Sequence, residues 1–171
     1  MKNVTMRIAA LIGMSVVALA MTPQAGAEPP VPEGPDYPLA EGNYTTEADP
    51  GWVYFVVDFG GKPADHHDYF GCGIGPDGTI GCDRVPNPGA YPSAFATYPP
   101  PGANQTVATA AEPASYRFSL TPTFSREVDV LPEGRQLENG GAKCRRGYQG
   151  SMSCRTGQHG FVLSTVRGTN W

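Results

Sequence analysis

CGIGPDGTIGC at residues 72–82 and CRRGYQGSMSC at residues 144–154 are two copies of one unit, aligned without a gap. Both read Cys, two residues, Gly, two residues, Gly, Ser or Thr, Ile or Met, one residue, Cys, and together they hold all 4 cysteines of the chain. In each copy a pair of glycines, Gly75 and Gly78 or Gly147 and Gly150, brackets a corner: Pro76-Asp77 in the first, Tyr148-Gln149 in the second. That composition permits positive φ on either side of a tight turn. Each unit therefore predicts a β-hairpin, and folding it at the central pair sets its two end cysteines opposite one another at disulfide separation.

Four cysteines allow three connectivities. The repeat argues for local pairing, Cys72 with Cys82 and Cys144 with Cys154, each closing a short loop. The alternative crosses between the copies. A zinc site is the third reading, but zinc ligands within a pair are usually about two to four residues apart. Here the spacing is far wider, and an oxidising compartment favours disulfides.

Outward from the repeat, the remaining sequence predicts strands. The 171 residues include 22 Gly and 18 Pro, which excludes a mostly helical protein. Trp52 to Phe59 (WVYFVVDF) is a dense β-branched and aromatic run ended by Gly60-Gly61, as expected of a buried strand. Ser115 to Leu120 alternates, with Tyr116, Phe118 and Leu120 on one face; Val128 and Val130 continue that pattern, and Phe161 to Val166 is a final run. The fold class expected is all-β, a small sheet or sandwich built around two stapled hairpins.

The N-terminus predicts the compartment. Lys2 and Arg7 precede an apolar stretch from Ile8 to Met21, and Ala25-Gly26-Ala27 offers small side chains for cleavage, so residues 1–27 read as a secretory signal. The apolar stretch falls short of the roughly 20 residues that a membrane span needs. Residues 28–50 (EPPVPEGPDYPLAEGNYTTEADP) are Pro-rich, acidic and poor in branched aliphatics, which predicts a flexible leader. Residues 51–171 then form a single β-rich domain, with a long Pro-rich loop over 85–113 that carries Tyr91, Phe95 and Tyr98.

Charge is unevenly distributed. The whole chain carries -4, from 12 Lys and Arg against 16 Asp and Glu; two of those bases lie in residues 1–27 and no acid does, so the remainder is more acidic still. From Glu28 to Asp83 the only base is Lys62, whereas Arg135 to Trp171 holds Arg135, Lys143, Arg145, Arg146, Arg155 and Arg167 against Glu138 alone. Either the two ends pack together and neutralise one another, or the C-terminal part presents a basic face.

Three segments carry a family likeness: Cys72 to Asp83 (CGIGPDGTIGCD), Val130-Leu131-Pro132-Glu133-Gly134 with Leu137 beyond it, and Cys154 to Ser164 (CRTGQHGFVLS). They resemble a family of small exported actinobacterial proteins, common in mycobacteria and their relatives. The resemblance covers roughly Trp52 to Val166. It implies a secreted, disulfide-bonded β-domain and assigns no catalytic residue. The segment from Lys62 to Phe70 (KPADHHDYF) is longer than that family usually has before the first cysteine.

Chemistry-bearing residues are few. Asp65-His66-His67-Asp68 could bind a metal or shuttle protons, but adjacent histidines on an extended chain point to opposite sides, so a solvated loop is the simpler reading and no metal or cofactor is assigned. No Gly-x-Ser-x-Gly elbow is present, and the cysteines are taken up by disulfides. The candidate binding residues are Arg145, Arg146 and Tyr148 in the second hairpin, with His159 beyond it. An acidic, exported chain disfavours nucleic acid, whereas Arg forks suit phosphate in anionic envelope polymers or lipid headgroups. The function expected is a secreted or envelope-associated, non-enzymatic binding protein, monomeric, with no transmembrane span after signal cleavage. Its ligand is an unidentified protein or an anionic envelope component. The first alternative is a secreted inhibitor or regulator that presents its hairpin turns, and the second a hydrolase or metal-dependent enzyme built on His159 with Asp58 or Asp83.

Overall fold

A computed structural model describes residues 36–60, 68–86, 98–165 and 168–171. Residues 1–35 (the expected signal and the start of the expected leader), Asp65, His66 and His67, and residues 87–97 of the Pro-rich stretch lie outside the described residues. Among the described residues ten strands form: β1 (Val53–Asp58), β2 (Tyr69–Ile74), β3 (Ile80–Cys82), β4 (Gln105–Ala108), β5 (Ser115–Arg117), β6 (Arg135–Asn139), β7 (Ala142–Gly147), β8 (Ser151–Thr156), β9 (His159–Ser164) and β10 (Thr169–Asn170). They make two antiparallel sheets in chain order, β1-β2-β3-β4-β5 and β6-β7-β8-β9-β10.

The expected fold class holds. Each stapled hairpin is the centre of one sheet: β2 pairs with β3 so that Cys72 opposes Cys82, and β7 pairs with β8 so that Cys144 opposes Cys154. Both local disulfides form, with Cα atoms 4.0 and 4.1 Å apart. Beyond the cysteines the repeat extends over the whole domain. The sheets stack with β1 on β6, β2 on β7, β3 on β8 and β4 on β9. At the far edge, Trp171 O and Ala114 O accept from Ala114 N and the Asn170 side chain (3.3 and 2.9 Å). The two sheets thus repeat one five-strand meander order, stacked strand for strand over β1–β4 and β6–β9.

The core lies between the sheets. Successive strand side chains alternate faces, so Phe55, Val57, Cys72, Ile74, Ile80 and Cys82 point inward from the first sheet and meet Leu137, Cys144, Met152, Cys154, Phe161 and Leu163 from the second. All four cysteines are fully buried. The first hairpin's corner closes on Gly78 in the left-handed region (φ +79°), and it does not project. It rests on the β6–β7 turn, where a Cβ at Gly78 would come within 2.6 Å of Gly140 O, and Asn139 Nδ2 donates to Ile74 O at 2.9 Å.

Four local expectations differ from the structure. Residues 36–50 of the predicted flexible leader are built into the domain: Leu39 bridges Gln136 in parallel, Ala40 N donates to Gln136 O at 2.9 Å, and Tyr44 enters the core. Tyr44, with Ala40 packed against the core, supplies the burial that the missing aliphatics do not. The loop assigned to 85–113 contains β4, whose Ala108 is buried against the core. The strand expected over Ser115 to Leu120 stops at Arg117, because the Asn104 side chain replaces a strand partner by bonding Ser119 N and Ser119 O at 3.0 and 2.8 Å. Phe118 and Leu120 therefore stand exposed. Val128 and Val130 lie outside any strand; Val130 makes a single parallel bridge to Val56.

Candidate functional site

The two stacked sheets have outward faces of opposite character, and the cysteine register makes the comparison residue by residue. Aligned on the disulfides, Gly71, Gly73, Gly81 and Asp83 of the first sheet occupy the positions of Lys143, Arg145, Ser153 and Arg155 of the second.

On the first sheet the glycines are a bed. A Cβ on Gly81 would fall within the Phe124 ring, and one on Gly71 would meet the Ser125 backbone. Phe124, 2% exposed, lies in this bed with Trp52 6.2 Å from its ring and Arg117 5.6 Å above it. Asp83 holds the covering segment down. Its two carboxylate oxygens accept from the amides of Thr123, Phe124 and Ser125 at 2.8, 2.9 and 2.8 Å, and from Gln105 Nε2 at 2.6 Å. Arg126 pairs with Asp49 at 2.8 Å and lies over the Tyr54 ring at 4.6 Å. This outer face is closed by the chain itself.

On the second sheet the same positions carry long cationic side chains. Lys143 on β7 is directly opposite Arg155 on β8, and Arg145 is opposite Ser153. Such cross-strand neighbours stand about 5 Å apart at Cβ, and next-but-one residues along a strand about 7 Å apart. The three cations thus form a compact triangle around Ser153, all half-exposed. They line a cleft of about 220 Å³ to which Asp36 is the sole contributor from outside the sheet and its turns, among the described residues. Asp36 Oδ1 accepts from Lys143 Nζ at 2.7 Å, and Glu138 Oε1 lies 3.1 Å from the same ammonium. The Lys143 hydrogen bond, with the lysine's charge behind it and a smaller share from Arg145, holds the Asp36 carboxyl below its ordinary value. The bond from Asp36, then that from Glu138, holds the Lys143 ammonium above its own.

The sequence-predicted binding residues separate across the sheet. Arg145 faces the cleft. Arg146 does not, because neighbours on a strand point to opposite sides. Its guanidinium is buried and donates to Leu131 O at 2.8 Å and to Asp58 O, pinning the 131–134 segment to the end of β1. Tyr148 is exposed at the tip of the second hairpin and meets Tyr37 edge-on at 6.2 Å. His159 begins β9 opposite Thr156, and Asp83, one of the two carboxylates considered as its partner, accepts from the 123–125 amides. Asp68, the described member of the Asp-His-His-Asp run, is an ion-pair partner of Arg84. Lys143 and Ser153 are not singled out by the sequence as site residues; their spacing, with Arg145 and Arg155, at every second position on either side of a Cys-bounded turn is the available signal.

No helix forms among the described residues, so none there is long and apolar enough to cross a membrane. No protein-family model, no curated protein and no solved structure matches this chain.

Proposed function

We propose that this chain is an exported, envelope-associated binding protein, non-enzymatic, whose second sheet holds an anionic polymer against Lys143, Arg145 and Arg155. The observation that carries the reading is the difference between equivalent faces. Where the first sheet has glycines and a chain segment packed on them, the second has three cations and a hydroxyl around an open cleft. Two buried disulfides fit a non-cytoplasmic, oxidising location, in keeping with the signal-like N-terminus and with the resemblance to exported actinobacterial proteins.

A polymer suits the geometry better than a bilayer. The cations sit on the flat face of a sheet, flanked by turns, where a chain of carboxylates or phosphates can lie along the strands. The exposed apolar residues Phe118 and Leu120, which could enter a lipid surface, follow β5 on the other sheet.

The test is retention of the oxidised protein by polygalacturonate and by polyphosphate, the two arms separating carboxylate from phosphate recognition. Arg145→Ala and Arg155→Ala are each expected to weaken binding by about three- to tenfold at low salt, with the affinity falling as salt rises. Capture by anionic vesicles but by neither polymer would transfer the site to a membrane surface. Binding that survives loss of both arginines would contradict the assignment.

A further inference from the structure

Asp36 differs from Glu138, the other acid beside Lys143, in how it arrives there. Glu138 belongs to β6 and is fixed beside Lys143 by strand register. Asp36 comes from a separate segment that is fastened to the edge of β6 just beyond it: Tyr37 N donates to Gln136 Oε1 at 3.1 Å, and Leu39 makes the parallel bridge to Gln136. Its side chain is 76% exposed, and it accepts a hydrogen bond from Lys143 that holds it over the cations.

From this arrangement we infer that Asp36 is an internal stand-in for the ligand's acid group: it marks the subsite at Lys143 and must be displaced when an anionic polymer binds. The inference rests on the anion-binding reading above and adds to it a position and a competitor. Three chemical features agree. The carboxylate meets the ammonium at 2.7 Å, where an acid group of a ligand would sit. Lys143 is paired with both Asp36 and Glu138 while Asp36 is in place, and keeps only Glu138 of the two once Asp36 leaves. The anchor at Gln136 keeps the carboxylate at high effective concentration without burying it, so that it is always present and always replaceable.

An exposed ion pair of this kind is weak. Displacing it costs a ligand little, and its removal should help by a correspondingly modest factor. Asp36→Asn keeps the shape of the side chain and is expected to bind polygalacturonate or polyphosphate about two- to fivefold more tightly than the parent at low salt, the gain shrinking as salt screens the pair. In the parent, adding polymer should move the backbone amide of Tyr37 as Asp36 comes away; in Asp36→Asn that response should be largely lost. Circular dichroism and a melting curve establish that the variant is folded. Asp36→Glu, which restores the charge, should return affinity toward that of the parent. If the parent binds and Asp36→Asn binds equally or more weakly, the stand-in role is wrong and the basic face remains. If neither binds either polymer, both the role and the binding reading fall.

Discussion

Arg145 and Arg146 are adjacent, and their roles are opposite. The strand alternation that sends Arg145 to the cleft sends Arg146 into the interior, where it bonds two backbone carbonyls. Arg146→Ala should therefore destabilise the domain by about 2 to 4 kcal/mol, by leaving Leu131 O and Asp58 O without their donor. Arg145→Ala should change stability by less than about 0.5 kcal/mol. Urea denaturation of the two variants, with equal losses for both as the contrary result, decides this. Gly81→Ala is the complementary test on the first sheet. Its methyl has no space beside Phe124, and a loss on the order of 2 to 3 kcal/mol is expected, together with a changed near-ultraviolet spectrum as the ring is pushed out. Burial raises the phenol pKa of Tyr44, Tyr54 and Tyr116 above the ordinary 10.0. The folded state favours their neutral form, so the stability they contribute is complete below pH 10.0 and is lost as pH rises through the folded values. A 295 nm titration should show these three tyrosines ionising above pH 10.0, with alkaline unfolding accompanying them.

At the scale of the element, the stapled hairpin was the most legible feature. The glycine pair, the corner and the terminal cysteines specify a turn, a register and a crosslink together, and none of these needs information from the remainder of the fold. Each bridge spans a sequence separation of 10, so removing either pair by Cys→Ser should cost a similar amount, about 2 to 3 kcal/mol. Matched melting curves for the two double variants check this, a large inequality being the contrary result. Other elements were poorly legible for physical reasons. β6 reads RQLEN and offers one apolar side chain, Leu137, because it is an edge strand held by β7 on one side and by Leu39 on the other. β4 reads QTVA inside a Pro-rich stretch, and its polar residues are buried: Gln105 reaches Asp83 and Thr106 donates to Arg84 O. The ordering of residues 36–50 depends on a partner strand about a hundred residues away, which local composition does not encode.

For the whole molecule, the cysteine repeat proved to be the centre of a duplicated meander, and the duplication is what makes the candidate site recognisable. Corresponding outer faces should be alike in a symmetric pair. Here one carries glycines and is covered, while the other carries Lys143, Arg145 and Arg155. The charge asymmetry visible in the sequence is thus resolved in two ways at once. Part of the acidic N-terminal region does pack against the basic C-terminal region, through Asp36 and Lys143, and a basic face still remains. The sequence could not separate these outcomes, because which arginines point outward depends on strand register and on the face that each sheet turns to the core. The measurement that tests the proposed function most directly is a backbone amide shift map of the oxidised protein titrated with polygalacturonate. The expected result is a set of shifts confined to Lys143–Gly147, Ser151–Thr156 and the adjoining Asp36–Tyr37, with β2, β3 and residues 121–126 unmoved. Shifts centred on the first sheet, or none at concentrations where the polymer saturates other basic proteins, would contradict it.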